Sequence, residues 1–272
     1  MNIIDKLTTK GFKFPFDGSD WFSSFGIYCL INIAYGIIWF GVSLIAMFLW
    51  PFFLAILEST SGSYITILII SITLLMLIFG LISLYLGGYQ LEMMKNLKDD
   101  KELQKPYHTQ ICYKLRLGLS RFLINAVVSI IMTIFFAASI ILTIWGGTLT
   151  GSAPILGILI IIIGVIFTLF FVGVAIYFQA IGVPAMIYNY LSTGSLVNAF
   201  NTDRMVQITR YAWREFLIIY VVIFLGTIVL GMITAFPGVG YFIYMIALPY
   251  LTFIISFLTG NIYYNLQTNM ET

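Results

Sequence analysis

Apolar residues in this chain run in blocks far longer than a globular core uses, and polar residues collect in the gaps between them. No charged side chain interrupts residues 22–57, 64–91, 122–202 or 216–270. About 20 apolar residues at 1.5 Å rise cross a hydrocarbon layer of about 30 Å, so the last two blocks each hold two crossings. The pattern predicts six helices, at about 21–50, 63–94, 121–146, 154–191, 213–236 and 240–266. Strands of a membrane barrel are excluded, because the blocks do not alternate and are too long.

The gaps alternate in character. Glu58 to Ser63, Gly146 to Ser152 and Pro237-Gly238 are short and turn-forming, and Pro154 suits the first turn of a following helix. Short turns impose antiparallel neighbours. The expected fold is therefore all-α: a polytopic integral membrane protein whose six transmembrane helices form three antiparallel hairpins. Residues 1–20 form a cytoplasmic N-terminal segment. Residues 21–272 form one membrane domain, with hairpins at about 21–94, 121–191 and 213–266 and inner loops at about 95–120 and 192–212. The first block exceeds a span, and Pro51 is its natural break. Gly182 with Pro184, and Pro249, are the candidate kinks of the fourth and sixth helices.

Composition agrees with a membrane chain: 61% hydrophobic, 9% charged, mean hydropathy +1.03. Charge adds orientation. All 13 Lys and Arg fall before the first block or in the two longer gaps, and Glu58 is the one charge in the short gaps. Basic residues near helix ends stay cytoplasmic, which places both termini inside. A net charge of +2 suits weak attraction to anionic lipid and not a nucleic-acid surface. The N-terminus lacks the short apolar core and cleavage site of a signal peptide.

Chemistry is sparse. Ionisable groups at membrane depth mark proton relays and ion paths, and the predicted spans contain none away from their inner ends. Asn32, Asn125 and Gln179 are the deep amides, read either as interhelical hydrogen bonds or as the lining of a solute path. Glycines 157, 164, 173 and 182 read as close-packing positions, and Pro184 and Pro249 as ordinary kinks or as breaks that expose carbonyls. His108 is the one histidine, beside Lys105 and Tyr107 and four residues before Cys112, and it lacks partners for a zinc site. Cys29 and Cys112 lie at different depths and are not expected to pair. No cofactor, metal site or enzymatic activity is expected. The even-numbered helices close with glycine and tyrosine at Gly88-Tyr89, Gly182 to Tyr188 and Tyr190, and Gly260 to Tyr263 and Tyr264, which reads as an interfacial aromatic belt or as an echo of a triplicated hairpin.

Residues 201–213 predict an amphipathic helix along the cytoplasmic interface. Asn201 or Thr202 caps it; Met205, Val206, Ile208, Ala212 and Trp213 fall on one side, and Asp203, Arg204, Gln207, Arg210 and Arg214 on the other.

Three segments together carry a family resemblance: Phe14-Pro15-Phe16-Asp17-Gly18-Ser19-Asp20-Trp21; Gly87-Gly88-Tyr89-Gln90-Leu91-Glu92 running on to Asp99-Asp100-Lys101-Glu102-Leu103; and Pro184-Ala185 through Tyr188, Gly194-Ser195-Leu196 and Ala199-Phe200. In order and spacing they resemble a family of prokaryotic membrane proteins, domain of unknown function 4013. Pro106-Tyr107-His108 departs from it, where the family more often has an acidic, tryptophan-containing stretch. The resemblance implies about six helices and a prokaryotic plasma membrane, and it transfers no activity or site residue. With membrane lipids as one partner and other membrane subunits as another, the expected role is an accessory or scaffold subunit. The alternative is a permease-like protein passing a hydrophobic or neutral solute without ion coupling.

The charge distribution generates a topology prediction. Reporter fusions after Met94, Ser192 and Thr272 should score cytoplasmic and those after Glu58 and Thr150 external. One reversed assignment breaks the helix count.

Overall fold

The computed structural model describes residues 10–17, 20–38, 41–42, 62–99, 106, 108–234 and 239–271. Pro51 and the turns at 58–61 and 237–238 lie outside these. The described chain is helical, with no strand. After a single 3-10 turn at Phe14–Phe16, the helices are α1 (Phe22–Ile38), α2 (Gly62–Asp99), α3 (Ile111–Leu149), α4 (Pro154–Thr193), α5 (Thr202–Thr234) and α6 (Val239–Glu271). Five helices, α2 to α6, are long and apolar enough to cross a membrane, and α1 is a shorter apolar helix in its described part.

The helices run further than hydropathy suggested. At 39 residues α3 is about 58 Å long, roughly twice a hydrocarbon core. It begins at Ile111 and not near Arg121, because Lys114 and Arg116 depress hydropathy without breaking the helix. Most of the expected inner loop at 192–212 is likewise helical. Gly194 closes α4 at φ 68°, donating its N–H to the Tyr190 carbonyl at 2.7 Å. A single turn at Leu196–Ala199 follows, capped by Ser195. Asn201 then caps α5, its Oδ1 accepting from the Arg204 N–H at 3.1 Å. α5 continues unbroken to Thr234, which corrects the expectation of a separate interfacial helix over 201–213.

Two compact units share the chain, and the boundaries between them fall inside α3 and α5: one holds residues 1–119 and 221–272, the other 120–220. In the first, α1 lies antiparallel to α2 (Tyr28 on Tyr89, Tyr35 on Phe79), and α2 runs parallel to α6, with Tyr89 near Phe253 and Gly260 against Leu97. The N-terminal segment adds Phe14, stacked on Phe257 at 4.6 Å. Apolar residues of α2 from Ile70 to Leu81 are mostly exposed, whereas Leu86 to Leu97 are largely buried. α6 repeats this, with Phe253 to Leu266 closed. The packed core of this unit thus sits at the end of α2 and α6 that carries the charged residues.

The second unit is organised by α3 against α4. Gly146 meets Ile161 and Gly157, Gly164 meets Thr143, and Phe171 stacks on Phe135, an antiparallel register. Gly157 and Gly164, seven residues apart, are therefore close-packing positions; Gly173 faces open space. Its core lies toward the end of α4, where Ala180 to Leu191 are mostly buried, and along a stripe of α5 at Ile208, Ala212, Phe216 and Ile219. Of the inner tyrosines, Tyr89 and Tyr263 are fully buried, Tyr188 and Tyr190 nearly so, and Tyr264 is half-buried.

Close backbone contact makes a stability prediction. A methyl at Gly88 would overlap the Lys114 carbonyl, while Gly173 has room. Gly88→Ala should cost about 1–3 kcal/mol in detergent unfolding, and Gly173→Ala should cost nothing.

Candidate functional site

Two glycines build the site. Gly88 on α2 lies against the Lys114 carbonyl of α3, and Gly118 on α3 lies against the Leu84 carbonyl of α2, so neither position admits a Cβ. Backbones this close bring together side chains that sit one turn further along. Glu92, one turn beyond Gly88, meets Lys114 in an ion pair at 2.9 Å, without hydrogen-bond alignment on the Oε2 atom. The Lys114 side chain is 1% exposed and that of Glu92 15%. A lysine so enclosed stays charged only with partners. Its ammonium also donates to the Thr109 carbonyl and lies 6.0 Å from the centre of the Tyr89 ring. Gln110, between these elements, takes the left-handed region at φ 56°, uncommon for a side-chain-bearing residue. The turn before α3 is thus held by its surroundings and not by local preference.

His108 completes the cluster. One ring nitrogen, Nε2, lies 2.9 Å from the Ser24 carbonyl of α1, which can only accept. Nε2 therefore carries the proton, and Nδ1 accepts from the Tyr85 hydroxyl of α2 at 2.6 Å. The ring stacks on Tyr89 with centroids 4.7 Å apart and planes at 14°. Burial pushes its pKa below the ordinary 6.5, the Lys114 charge adds to that, and the Ser24 carbonyl and Glu92 oppose it. Around this centre Gln90 donates to the Tyr28 hydroxyl at 2.7 Å, Lys95 to the Tyr113 hydroxyl at 3.1 Å, and Lys98 to Gln267 at 3.2 Å. Charge and hydrogen-bonding capacity are mostly consumed within the cluster. The Tyr89 hydroxyl, like the Glu92 Oε2 atom, is buried without an aligned hydrogen bond. What the arrangement does chemically is hold α1, α2 and α3 together at one end. Among the described residues, no three His, Cys, Asp or Glu side chains are grouped to hold a metal.

The residues singled out by sequence fall elsewhere. Asn32 and Asn125 each donate to the carbonyl four residues earlier in their own helix, at 2.9 Å, a local use that crosses to no neighbour. Asn32 belongs to the first unit and Asn125 to the second, and Gln179 is exposed. At Gly182 and Pro184 the chain forms a π turn, Phe178–Gly182, which absorbs the N–H that proline lacks. Pro249 is inside α6 without ending it. On α5, Ile208 is buried, Arg204 and Met205 are half-buried, and Arg210 and Trp213 are exposed. Both cysteines are free thiols. Sequence reasoning passed over Tyr85, Glu92 and Lys114 and assigned His108 to a loop. The available signal was the glycine pair before Tyr89, together with the helical stripe Lys114, Leu117, Ile124 and Val128.

A family model described as a protein of unknown function (DUF4013) matches residues 71–264, and the chain belongs to that family. The match includes all of the cluster except Ser24, Tyr28 and Gln267, and it leaves the aromatic segment at 14–21 outside. No curated protein and no solved structure matches the chain.

Breaking the buried pair from one side strands the other charge. Lys114→Met or Glu92→Leu alone should destabilise by about 3–5 kcal/mol, and the two combined should recover most of that. Unfolding in mixed micelles checks this as a double-mutant cycle, and additive losses would contradict it.

Proposed function

We propose that this DUF4013 protein is a non-enzymatic integral membrane protein of a prokaryotic plasma membrane, acting as an accessory or scaffold subunit of a membrane assembly. Its six spans form three antiparallel hairpins, with both termini cytoplasmic. The remaining span is the first expected helix, at about 21–50, of which α1 is the described part.

One observation carries the reading. The chemistry-bearing groups of the first unit are turned on one another, while α2, α3 and α4 offer broad apolar faces. Leu74 and Leu77 on α2, Ile134 and Ile141 on α3, and Ile155 and Leu169 on α4 are all well exposed. Faces of this kind suit lipid tails or the helices of another membrane protein. A protein built so acts by what it packs against. No specific observation favours the permease reading, and it enters as an outcome of the test.

Purification in mild detergent followed by mass spectrometry should recover a second membrane protein in stoichiometric amount, and the chain alone in liposomes should move no solute. A monodisperse chain that by itself carries a neutral solute across liposomes would replace this reading with the permease.

A further inference from the structure

Three lysines of the first unit spend their charge on neighbours: Lys95 on Tyr113, Lys98 on Asp99 and Gln267, Lys114 on Glu92. Two arginines of α5 do not. Arg210 and Arg214 are exposed, and among the described residues neither makes an ion pair or a side-chain hydrogen bond. They stand four residues apart, so their Cβ atoms lie about 5–6 Å from each other on one face of the helix. That face is opposite the buried stripe of Ile208, Ala212 and Phe216.

Arg214 and Glu215 are the last charges before the uncharged block that begins at Phe216, which puts this face at headgroup depth. Trp213 is exposed beside it, and the Arg214 guanidinium lies 5.3 Å from the centre of the indole ring. That contact holds one guanidinium in place before any ligand arrives. Leu217, on the same face one turn further along, is exposed too. Two guanidinium forks suit phosphate oxygens. The apolar surface of Trp213 and Leu217 suits a phosphate that carries acyl chains, and a free phosphate makes no use of it. The carboxylates of this segment leave the arginines available. Glu215 is half-buried on the flank of the buried stripe, and Asp203 lies two turns before Arg210, about 10 Å along the axis.

We propose that Arg210 and Arg214, with Trp213 between them in sequence, form a headgroup site for an anionic phospholipid of the cytoplasmic leaflet. The choice of leaflet rests on the topology proposed above; the site itself does not. The two guanidiniums grip the phosphate oxygens, Trp213 lies at the glycerol level, and Leu217 meets the start of an acyl chain. A zwitterionic lipid brings the same phosphate with an ammonium that offsets it, so the site prefers a headgroup of net negative charge.

Native mass spectrometry of the full chain, titrated in non-ionic detergent with phosphatidylglycerol or with phosphatidylcholine, tests the site. The unsubstituted chain should hold one phosphatidylglycerol more tightly than any further copy, and more tightly than phosphatidylcholine. Arg210→Gln and Arg214→Gln should each weaken that first binding by about fivefold, the weight of one basic residue near an anionic surface. Lys10→Gln combined with Lys13→Gln removes two exposed charges elsewhere and should leave it unchanged. Phenylglyoxal modification of the unsubstituted chain gives a second reading that needs no variant. Nanodiscs of phosphatidylglycerol should shield Arg210 and Arg214, and nanodiscs of phosphatidylcholine should not. Equal loss in the lysine double variant, equal affinity for the two lipids, or shielding by soluble glycerol phosphate as complete as by lipid each overturns the site. Recovery or absence of a protein partner changes none of these outcomes, so this proposal and the accessory-subunit reading fail separately.

Discussion

An ammonium withdrawn from water must be given back a carboxylate, and the first unit is arranged around doing so for Lys114. The pair with Glu92 exists only because α2 and α3 approach at Gly88 and Gly118 closely enough to exclude any side chain between them. Close approach in turn fixes the turn at 108–110, since Lys114 reaches back to the Thr109 carbonyl and Gln110 accepts a left-handed backbone. That turn presents His108 to Ser24 and Tyr85. Each step depends on the one before. Removing either charge leaves the other buried with too few partners, which costs more than the pair itself contributes.

The placement of this core has a functional consequence. Polar groups cluster where α2 and α6 carry their charged residues, and the apolar ends are left to face their surroundings. In a bilayer no hydrophobic force drives helices together, so packing must come from small residues and polar contacts. The second unit shows the same economy: Gly146, Gly157 and Gly164 close α3 on α4, and Thr168 donates to Ser139 at 3.1 Å. What remains exposed is apolar surface of the kind that faces lipid.

Membrane character and helical class were legible in the sequence, because long charge-free blocks have one physical meaning. Helix ends were not. Lys114 and Arg116 read as loop by hydropathy, and residues 201–213 as an interfacial helix of their own, yet both stretches belong to longer helices whose buried stripes keep helical spacing. The candidate site was missed for a related reason. Its members come from residues 24, 85–92 and 108–114, and their meeting depends on a Cβ-free contact between two helices that only the packed structure specifies. The glycine-tyrosine pairs were legible as an interfacial belt or as the echo of a repeated hairpin, and neither reading foresees their packing. Tyr89 and Tyr263 are instead enclosed, and Tyr89 supplies the ring on which His108 stacks. Deep amides attracted notice by rarity, whereas Asn32 and Asn125 serve their own helices.

The central claim is that Lys114 is sealed by its pairing with Glu92. Amine footprinting with a water-soluble acylating reagent, read by mass spectrometry on the intact protein at neutral pH, tests it most directly. Lys10 and Lys13, which are exposed, should label readily, and Lys114 should stay unlabelled until Glu92 is replaced by glutamine. Labelling of Lys114 at the rate of Lys13 in the unsubstituted protein would contradict the account.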